Sequence, residues 1–376
     1  MNNKINKIFS GYIEGYYGNL LSWKNRLKII HRLKKNLMNF YFYAPKEDKE
    51  HRFNWKEPYK KNWLKSFNKF SSEANLKGIS IIAGIAPGLD YDFNYRNNNK
   101  DFDLLKKKSQ QLIDNGANFV SLMFDDIPNN FEDVYGQRLI EGKTHANLAN
   151  ALANELNCKI FVVPRIYAKE LTMESPEYIY EFGKYLQKDI GVFHCGNKIV
   201  SKSINQSNIN NLRSDINNEL IFWDNLYAND YCPRRLFVSP WYNRSLENIM
   251  INPTGMIQTD LLILDIIGES RNNLDIRKSF LNTLSNYKIP KEFSKLLHYF
   301  KNPVLSNINE TQKSTWREEI QIIDTLLWEW KSKLSLEWYP YLMGLKQDIL
   351  IKSNKLKNNR IMKTQTKPLS IRLLKF

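Results

Sequence analysis

Residues 118–127 read NFVSLMFDDI: seven residues fit for a buried strand, then two adjacent aspartates, Asp125 and Asp126, at its end. A short apolar run closed by acidic residues is what a fully buried parallel strand looks like when its C-terminal end opens onto a site. Seven further short runs are rich in β-branched or aromatic residues. They are KIFSGYIE (7–14), MNFYFYA (38–44), GISIIAGI (78–85), KIFVVP (159–164), IGVFHC (190–195), ELIFWD (219–224) and NIMIN (248–252). Eight such runs within about 250 residues, separated by helix-period segments, predict a (β/α)8 barrel of the TIM type, an α/β fold, over residues 1–257.

The connecting segments support this. Ser22 can cap a helix whose predicted apolar stripe is Trp23, Leu27, Ile30, Leu33 and Leu37. Leu105, Leu112 and Ile113 precede Gly116, a residue suited to end a helix. The Ala- and Leu-rich stretch 145–156 favours helix, whereas 199–218 is rich in Ser and Asn and only weakly periodic. Beyond the barrel, residues 258–352 read as a helical extension. There Thr315 and Glu318 form a capping-box pattern ahead of Ile320, Ile323, Leu327, Trp330 and Leu334. Residues 353–376 form a basic tail, expected to be mobile.

Composition bounds the function classes. The chain has 376 residues, 42% of them apolar, enough for a large core. Its longest nearly unbroken apolar stretch, 79–89, contains Gly and Pro and is too short to span a bilayer. The N-terminus lacks the apolar segment of a secretory signal, so the expected location is cytoplasmic. Three cysteines without CxxC spacing argue against a disulfide framework. The five histidines form no HxH or HExxH pair, so a structural or catalytic zinc has no visible ligand set. The net charge of +16 would suit a polyanion. It is, however, dispersed among many Asn and Ile residues, and no nucleic-acid-binding motif accompanies it.

A parallel barrel places its active site where the strands end. The runs end in Glu14-Gly15, Lys46, Asp90, Asp125-Asp126, Tyr167, Cys195-Gly196, Trp223 to Asn225 with Asp230 beyond, and Asn252. Hydrogen-bonding groups mixed with Trp and Tyr on one rim suit a sugar, which offers hydroxyls at its edges and an apolar face. Two carboxylates held close cannot both ionise easily, so one pKa is expected to rise, and a protonated carboxyl can serve a glycosidic oxygen. Spacing alone equally allows Asp125-Asp126 to cap the following loop. Trp223 and Tyr167 could be packing residues and Lys46 a surface lysine. No triad partner accompanies Cys195, so it reads as a buried small residue.

In order along residues 10–254, the segments IEGYYG with SWKNRL, NFYFYAPKEDKEHRFNWKEPY, APGLDY, SLMFDDI, KIVSK, FWDNLYANDY and INP resemble glycoside hydrolase family 84. That family comprises β-N-acetylglucosaminidases, among them O-GlcNAc hydrolases. The resemblance implies a TIM barrel and removal of terminal β-linked N-acetylglucosamine with retention, the 2-acetamido oxygen of the substrate acting as nucleophile. It implies that Asp125 orients the acetamide, Asp126 is the general acid and base, and Tyr167 contacts the acetamide oxygen. Asn225 would lie near the acetamido group, Trp223 would form an aromatic wall, and Gly15, Lys46, Asp230 and Asn252 would grip hydroxyls. The implied partners are β-linked N-acetylglucosamine conjugates, without a membrane or nucleic acid, and no metal or organic cofactor is implied. A homodimer through the helical extension is a further expectation. The segment VPRIYAK around Tyr167 and the ending His194-Cys195-Gly196 depart from the family pattern, leaving Arg165 as a charge without an evident purpose. A carbohydrate-binding protein that keeps the pocket without catalysis is the alternative, with a basic nucleic-acid-binding protein ranked below it.

Overall fold

The structure, a computed structural model, describes residues 8–94, 100–232, 234–305 and 314–353; the basic tail lies outside them apart from its first residue. Eight parallel strands form a closed barrel in sequence order. They are β1 (Ser10–Glu14), β2 (Phe40–Tyr43), β3 (Ser80–Ile85), β4 (Phe119–Met123), β5 (Ile160–Val163), β6 (Gly191–His194), β7 (Leu220–Asp224) and β8 (Ile249–Ile251). Each falls inside one of the eight apolar runs. Closure comes from β1 pairing with β8 in the register Ser10 to Ile249.

The helices between strands are α1 (Trp23–Lys35), α2 (Lys61–Leu76), α3 (Lys100–Asp114), α4 (Phe131–Tyr135), α5 (Glu141–Glu155), α6 (Tyr178–Tyr185) and α7 (Gln206–Leu212). Ser22 caps α1, its hydroxyl accepting from the Asn25 amide at 3.2 Å. Gly116 follows α3 at φ +102°, the left-handed geometry that glycine adopts at least cost. The weakly periodic stretch 199–218 yields only the short α7.

The predicted stripe of α1 needs correction. Leu37 is 80% exposed, because α1 stops at its cap Asn36 and Leu37 turns away at φ +55°. The buried face instead includes Arg26 and Ile29. Arg26 is drawn inward by a fully buried carboxylate: Nε and Nη2 donate to the two oxygens of Glu14, each at 2.8 Å. Burial opposes the charge on Arg26, but Glu14 outweighs it and raises its pKa. The Tyr41 hydroxyl also donates to Glu14.

Inside the barrel Phe9, Ile13, Phe40, Phe42, Met123, Phe161, Phe193, Trp223 and Met250 pack as one cluster. Fully buried strands of this kind need no polar alternation, which is why they read as near-continuous apolar runs.

The chain divides into two compact units. One holds the barrel, through Asn225 and again from Asn243 to Gly255; the other comprises Leu226–Tyr242 and the chain from Met256 onward. In the second unit lie α8 (Ile257–Asn272), α9 (Ile276–Asn286), α10 (Leu297–Phe300), α11 (Trp316–Trp328) and α12 (Lys333–Lys352). Helix α8 is apolar on nearly all sides and is buried from Thr259 to Gly268. The carboxylate of Glu337 on α12 accepts from the amides of Gln258 and Thr259 at 2.8 and 2.9 Å, meeting the positive end of α8. The capping box of Thr315 and Glu318 opens α11, whose inward residues include Ile322, Ile323, Leu326 and Leu327, with Ile320 only half-buried.

Candidate active site

The ends of β1, β2, β4, β5, β7 and β8 bring together Gly15, Lys46, Asp125, Asp126, Tyr167, Trp223, Asn225 and Asn252 within the barrel unit. Asp230 falls in the other unit, in the segment 226–242, where its Oδ1 accepts from the Tyr231 amide at 2.9 Å.

Asp125 follows the last buried turn of β4 and is 7% exposed. Its Oδ2 is bonded to the Lys46 ammonium. Its Oδ1 is buried and has no hydrogen-bond partner among the described residues. An unmatched buried carboxylate oxygen is costly, and such atoms persist mainly where a function uses them. Asp125 Oδ1 therefore presents an acceptor to any donor that enters.

Asp126 adopts φ +56°, a region that costs a side-chain-bearing residue on the order of 1–2 kcal/mol. Its carboxylate accepts from Tyr17 Oη at 3.0 Å and Tyr167 Oη at 2.9 Å, and lies 3.2 Å from Lys46 Nζ. Burial alone would raise its pKa, but Lys46 and the two tyrosine hydroxyls reverse that and leave it below the ordinary aspartate value. For Asp126 this is opposite to the rise expected of one member of a crowded pair. The pair is not isolated: a buried cation sits against both members, so mutual repulsion no longer decides the outcome. Lys46 shows the other side of the exchange. Burial disfavours its charge, and Asp125 and Asp126 together override that and raise its pKa.

The second half of the rim is neutral. Asn225 Oδ1 accepts from Trp223 Nε1 and from Asn252 Nδ2, each at 2.9 Å, and Asn225 Nδ2 donates to the Ile199 carbonyl at 2.9 Å. Asn252 Oδ1 in turn accepts from the Gly15 amide at 3.1 Å. Every polar group of Asn225 is thereby committed, and none of these bonds reaches Asp125. Glycine at position 15 is required, since a Cβ there would stand 2.3 Å from the Trp223 ring. Trp223 itself is largely buried, edge-on to Phe42 and Phe193 at 5.7 and 6.3 Å.

Cys195 lies between the two halves. Its amide donates to the Tyr167 carbonyl at 2.7 Å, and burial pushes its thiol well above the usual range. A thiol so held is no nucleophile. Among the described residues no group of three or more His, Cys, Asp and Glu could hold a metal ion.

Arg165 has a clear purpose. Its guanidinium forks onto Glu141 through Nε at 2.5 Å and Nη2 at 2.7 Å, and Nη1 lies 3.3 Å from Glu174. Its amide donates to Tyr178 Oη at 3.0 Å, and that hydroxyl pairs with His145 Nδ1 at 2.9 Å. The segment that carries Tyr167 is thus tied to α5 and α6.

Two residues of the site had no individual signal in the sequence, Tyr17 and Arg52. Tyr17 is 46% exposed and would pass for an ordinary surface tyrosine. Both lie in loops, where spacing carries no directional information.

Residues 10–262 match the model of the beta-N-acetylglucosaminidase (NAGidase) family. The chain belongs to that family. It is 31% identical over 301 residues to the proteins named Protein O-GlcNAcase of Mus musculus and of Rattus norvegicus. That alignment covers 74% of this chain but 31% of each relative, so the chain spans less than a third of their length. A variant of the Thermobaculum terrenum O-GlcNAc hydrolase has a similar fold, with a TM-score of 0.76 and 21% identity, over 96% of this chain and 91% of that one. Among the described residues no helix is long and apolar enough to cross a membrane.

Proposed function

We propose that this glycosidase-family chain removes terminal β-linked N-acetylglucosamine from conjugates, with retention and with the substrate's acetamide as nucleophile. The observation that carries the reading is Asp125 Oδ1, a buried acceptor with no protein partner beside an Oδ2 anchored on Lys46. An amide N–H is its natural complement, and accepting it would raise electron density on the acetamide oxygen. That oxygen then attacks the anomeric carbon as the glycosidic bond breaks, and Asp126 gives its proton to the departing oxygen. The oxazoline formed, whose N–H proton is held on the Asp125 side, is opened by water, whose proton returns to Asp126 while the ring nitrogen recovers its own. Such substrate-assisted catalysis dispenses with an enzyme nucleophile, so neighbouring carboxylates on one strand suffice.

Tyr167, engaged on Asp126, is near enough to turn to the acetamide oxygen as the ring closes. Gly15, Lys46 and Asn252 would take hydroxyls, with Asn225 fixing the acetamido side and Trp223 the apolar face. The exposed Trp328, Leu336 and Tyr339 on α11 and α12 support a homodimer through the helical unit. The absence of disulfides among Cys158, Cys195 and Cys232 supports a reducing, cytoplasmic setting.

The test compares an aryl β-N-acetylglucosaminide with the same aryl β-glucoside. Turnover of the first alone, blocked by an oxazoline mimic, is expected; equal turnover of both overturns the mechanism. The lowered pKa of Asp126 favours one second reading, a sugar-binding protein that does not hydrolyse. Sugar binding without turnover of either glycoside would select it.

A further inference from the structure

Successive residues of a strand face opposite sides, so Asp125 and Asp126 can serve one site only where strand geometry ends. The strand β4 ends at Met123, and the left-handed φ of +56° at Asp126 turns the second carboxyl onto the Lys46 side. A side-chain-bearing residue stays in that conformation only when its surroundings over-determine it.

Arg52 supplies the constraint. It is buried in the loop after β2, with its guanidinium 5.7 Å from the Phe53 ring. Nη2 donates to the backbone carbonyl of Asp126 at 2.6 Å. Nη1 donates to Tyr17 Oη at 2.9 Å, and that hydroxyl donates onward to Asp126 Oδ2 at 3.0 Å. One planar fork thus fixes both ends of the same residue, its carbonyl directly and its carboxylate through Tyr17. A flexible ammonium offers no such paired geometry.

We propose that Arg52 is a positioning residue that holds Asp126 in its strained turn and aims its carboxyl for proton transfer. The proposal rests on the reading of Asp126 as general acid. Arg52 has no hydrogen bond to Asp125 or to the Asn225–Asn252 pair, so its influence falls on the protonation step and not on sugar capture or ring closure.

The experiment uses the full chain with Arg52→Gln and Arg52→Lys, on β-N-acetylglucosaminides running from dinitrophenyl through phenyl to methyl. For Arg52→Gln, kcat on the phenyl and methyl glycosides should fall about ten- to a hundredfold, part of what a general acid contributes. On the dinitrophenyl glycoside, which needs little protonation, the fall should be less than about threefold, and KM should change by no more than that. Arg52→Lys should recover only part of the loss. An equal loss across all leaving groups, or no loss, overturns the proposal.

A crystal structure of Arg52→Gln gives a readout independent of turnover. Asp126 should leave the left-handed region, and an unchanged Asp126 also overturns the proposal. A parent chain inactive on every glycoside would instead count against the proposed function, while the crystal structure still decides the role of Arg52.

Discussion

The Lys46 ammonium stands 3.2 Å from Asp126 Oδ2. With the hydroxyls of Tyr17 and Tyr167 it holds that carboxyl below its ordinary pKa, so Asp126 is ionised near neutrality. A general acid must carry a proton when the leaving oxygen departs. Sugar hydroxyls that draw Lys46 toward themselves weaken its hold and let the pKa climb. Binding of N-acetylglucosamine at about pH 5, between the ordinary aspartate value and the roughly 6 that catalytic carboxyls reach, should therefore take up as much as about one proton. Calorimetry in two buffers of different ionisation enthalpy measures the uptake. It should vanish in Asp126→Asn, and zero uptake by the parent chain would rule Asp126 out as the acid.

The two aspartates should separate by leaving group. Asp126→Asn is expected to lose roughly 10²- to 10⁴-fold on an alkyl glycoside and far less on an activated aryl one. Asp125→Ala should depress both alike, since ring closure is needed whatever group departs. Steady-state kinetics on the two substrates decides it: identical ratios for both variants would mean that the roles are misassigned.

Gly15→Ala drives a methyl into the Trp223 ring, to which the nearest approach is 2.3 Å. Trp223 is packed edge-on by Phe42 and Phe193 and cannot retreat freely. Overpacking of this kind costs about 1–3 kcal/mol. The shift should also strain the Gly15 amide bond to Asn252 and raise KM. Urea unfolding reads the first effect and substrate titration the second; a variant with parental stability and KM would show that the rim is softer than its packing implies.

Much of this was legible in residues 7–252. All eight strands sit inside apolar runs, because a doubly covered parallel strand writes its burial directly into composition. Most of the candidate residues could be named because they follow strand ends, where a barrel keeps its chemistry. The charge state of Asp126 was not legible. It depends on Lys46, 79 residues from Asp125 along the chain, and on hydroxyls from two loops. Leu37 was misplaced because a helical stripe was extended one residue past the cap Asn36, where the backbone reverses. Arg26 on the inner face of α1 defied periodicity because Glu14, on another element, paid for its burial.

Removing that partner exposes the cost. Arg26→Met leaves the Glu14 carboxylate, itself fully buried, with only the Tyr41 hydroxyl among the described residues. Breaking a buried pair from one side typically costs about 3–5 kcal/mol. Denaturant titration should show a loss of that size, and Glu14→Gln with Arg26→Met should regain part of it. No recovery in the double variant would mean that packing against Trp23, 4.5 Å away, matters more than charge.

Three buried histidines set an acid limit on the fold. Burial pushes His51 down to about 4, and His145 and His194 down to about 3. Unfolded histidine titrates near 6.5, so below that pH the unfolded chain binds protons that the folded chain refuses. Stability is therefore complete above about 6.5 and declines as pH falls toward 4 and then 3. Urea midpoints at intervals from neutral to acid should fall in that window; a flat profile would mean that these rings charge without unfolding.

The bond from the Gly15 amide to Asn252 joins residues 237 positions apart. During synthesis β1 emerges early and waits for almost the whole barrel before its partner exists. Contacts of such separation form late, after the intervening chain has been ordered. A nascent or truncated chain that stops short of β8 has both aspartates, Lys46 and Trp223, and still lacks the seam against which the Gly15 backbone is held. Activity should consequently appear all at once as the last strand docks, and barrel fragments should be catalytically silent until the missing strand is supplied.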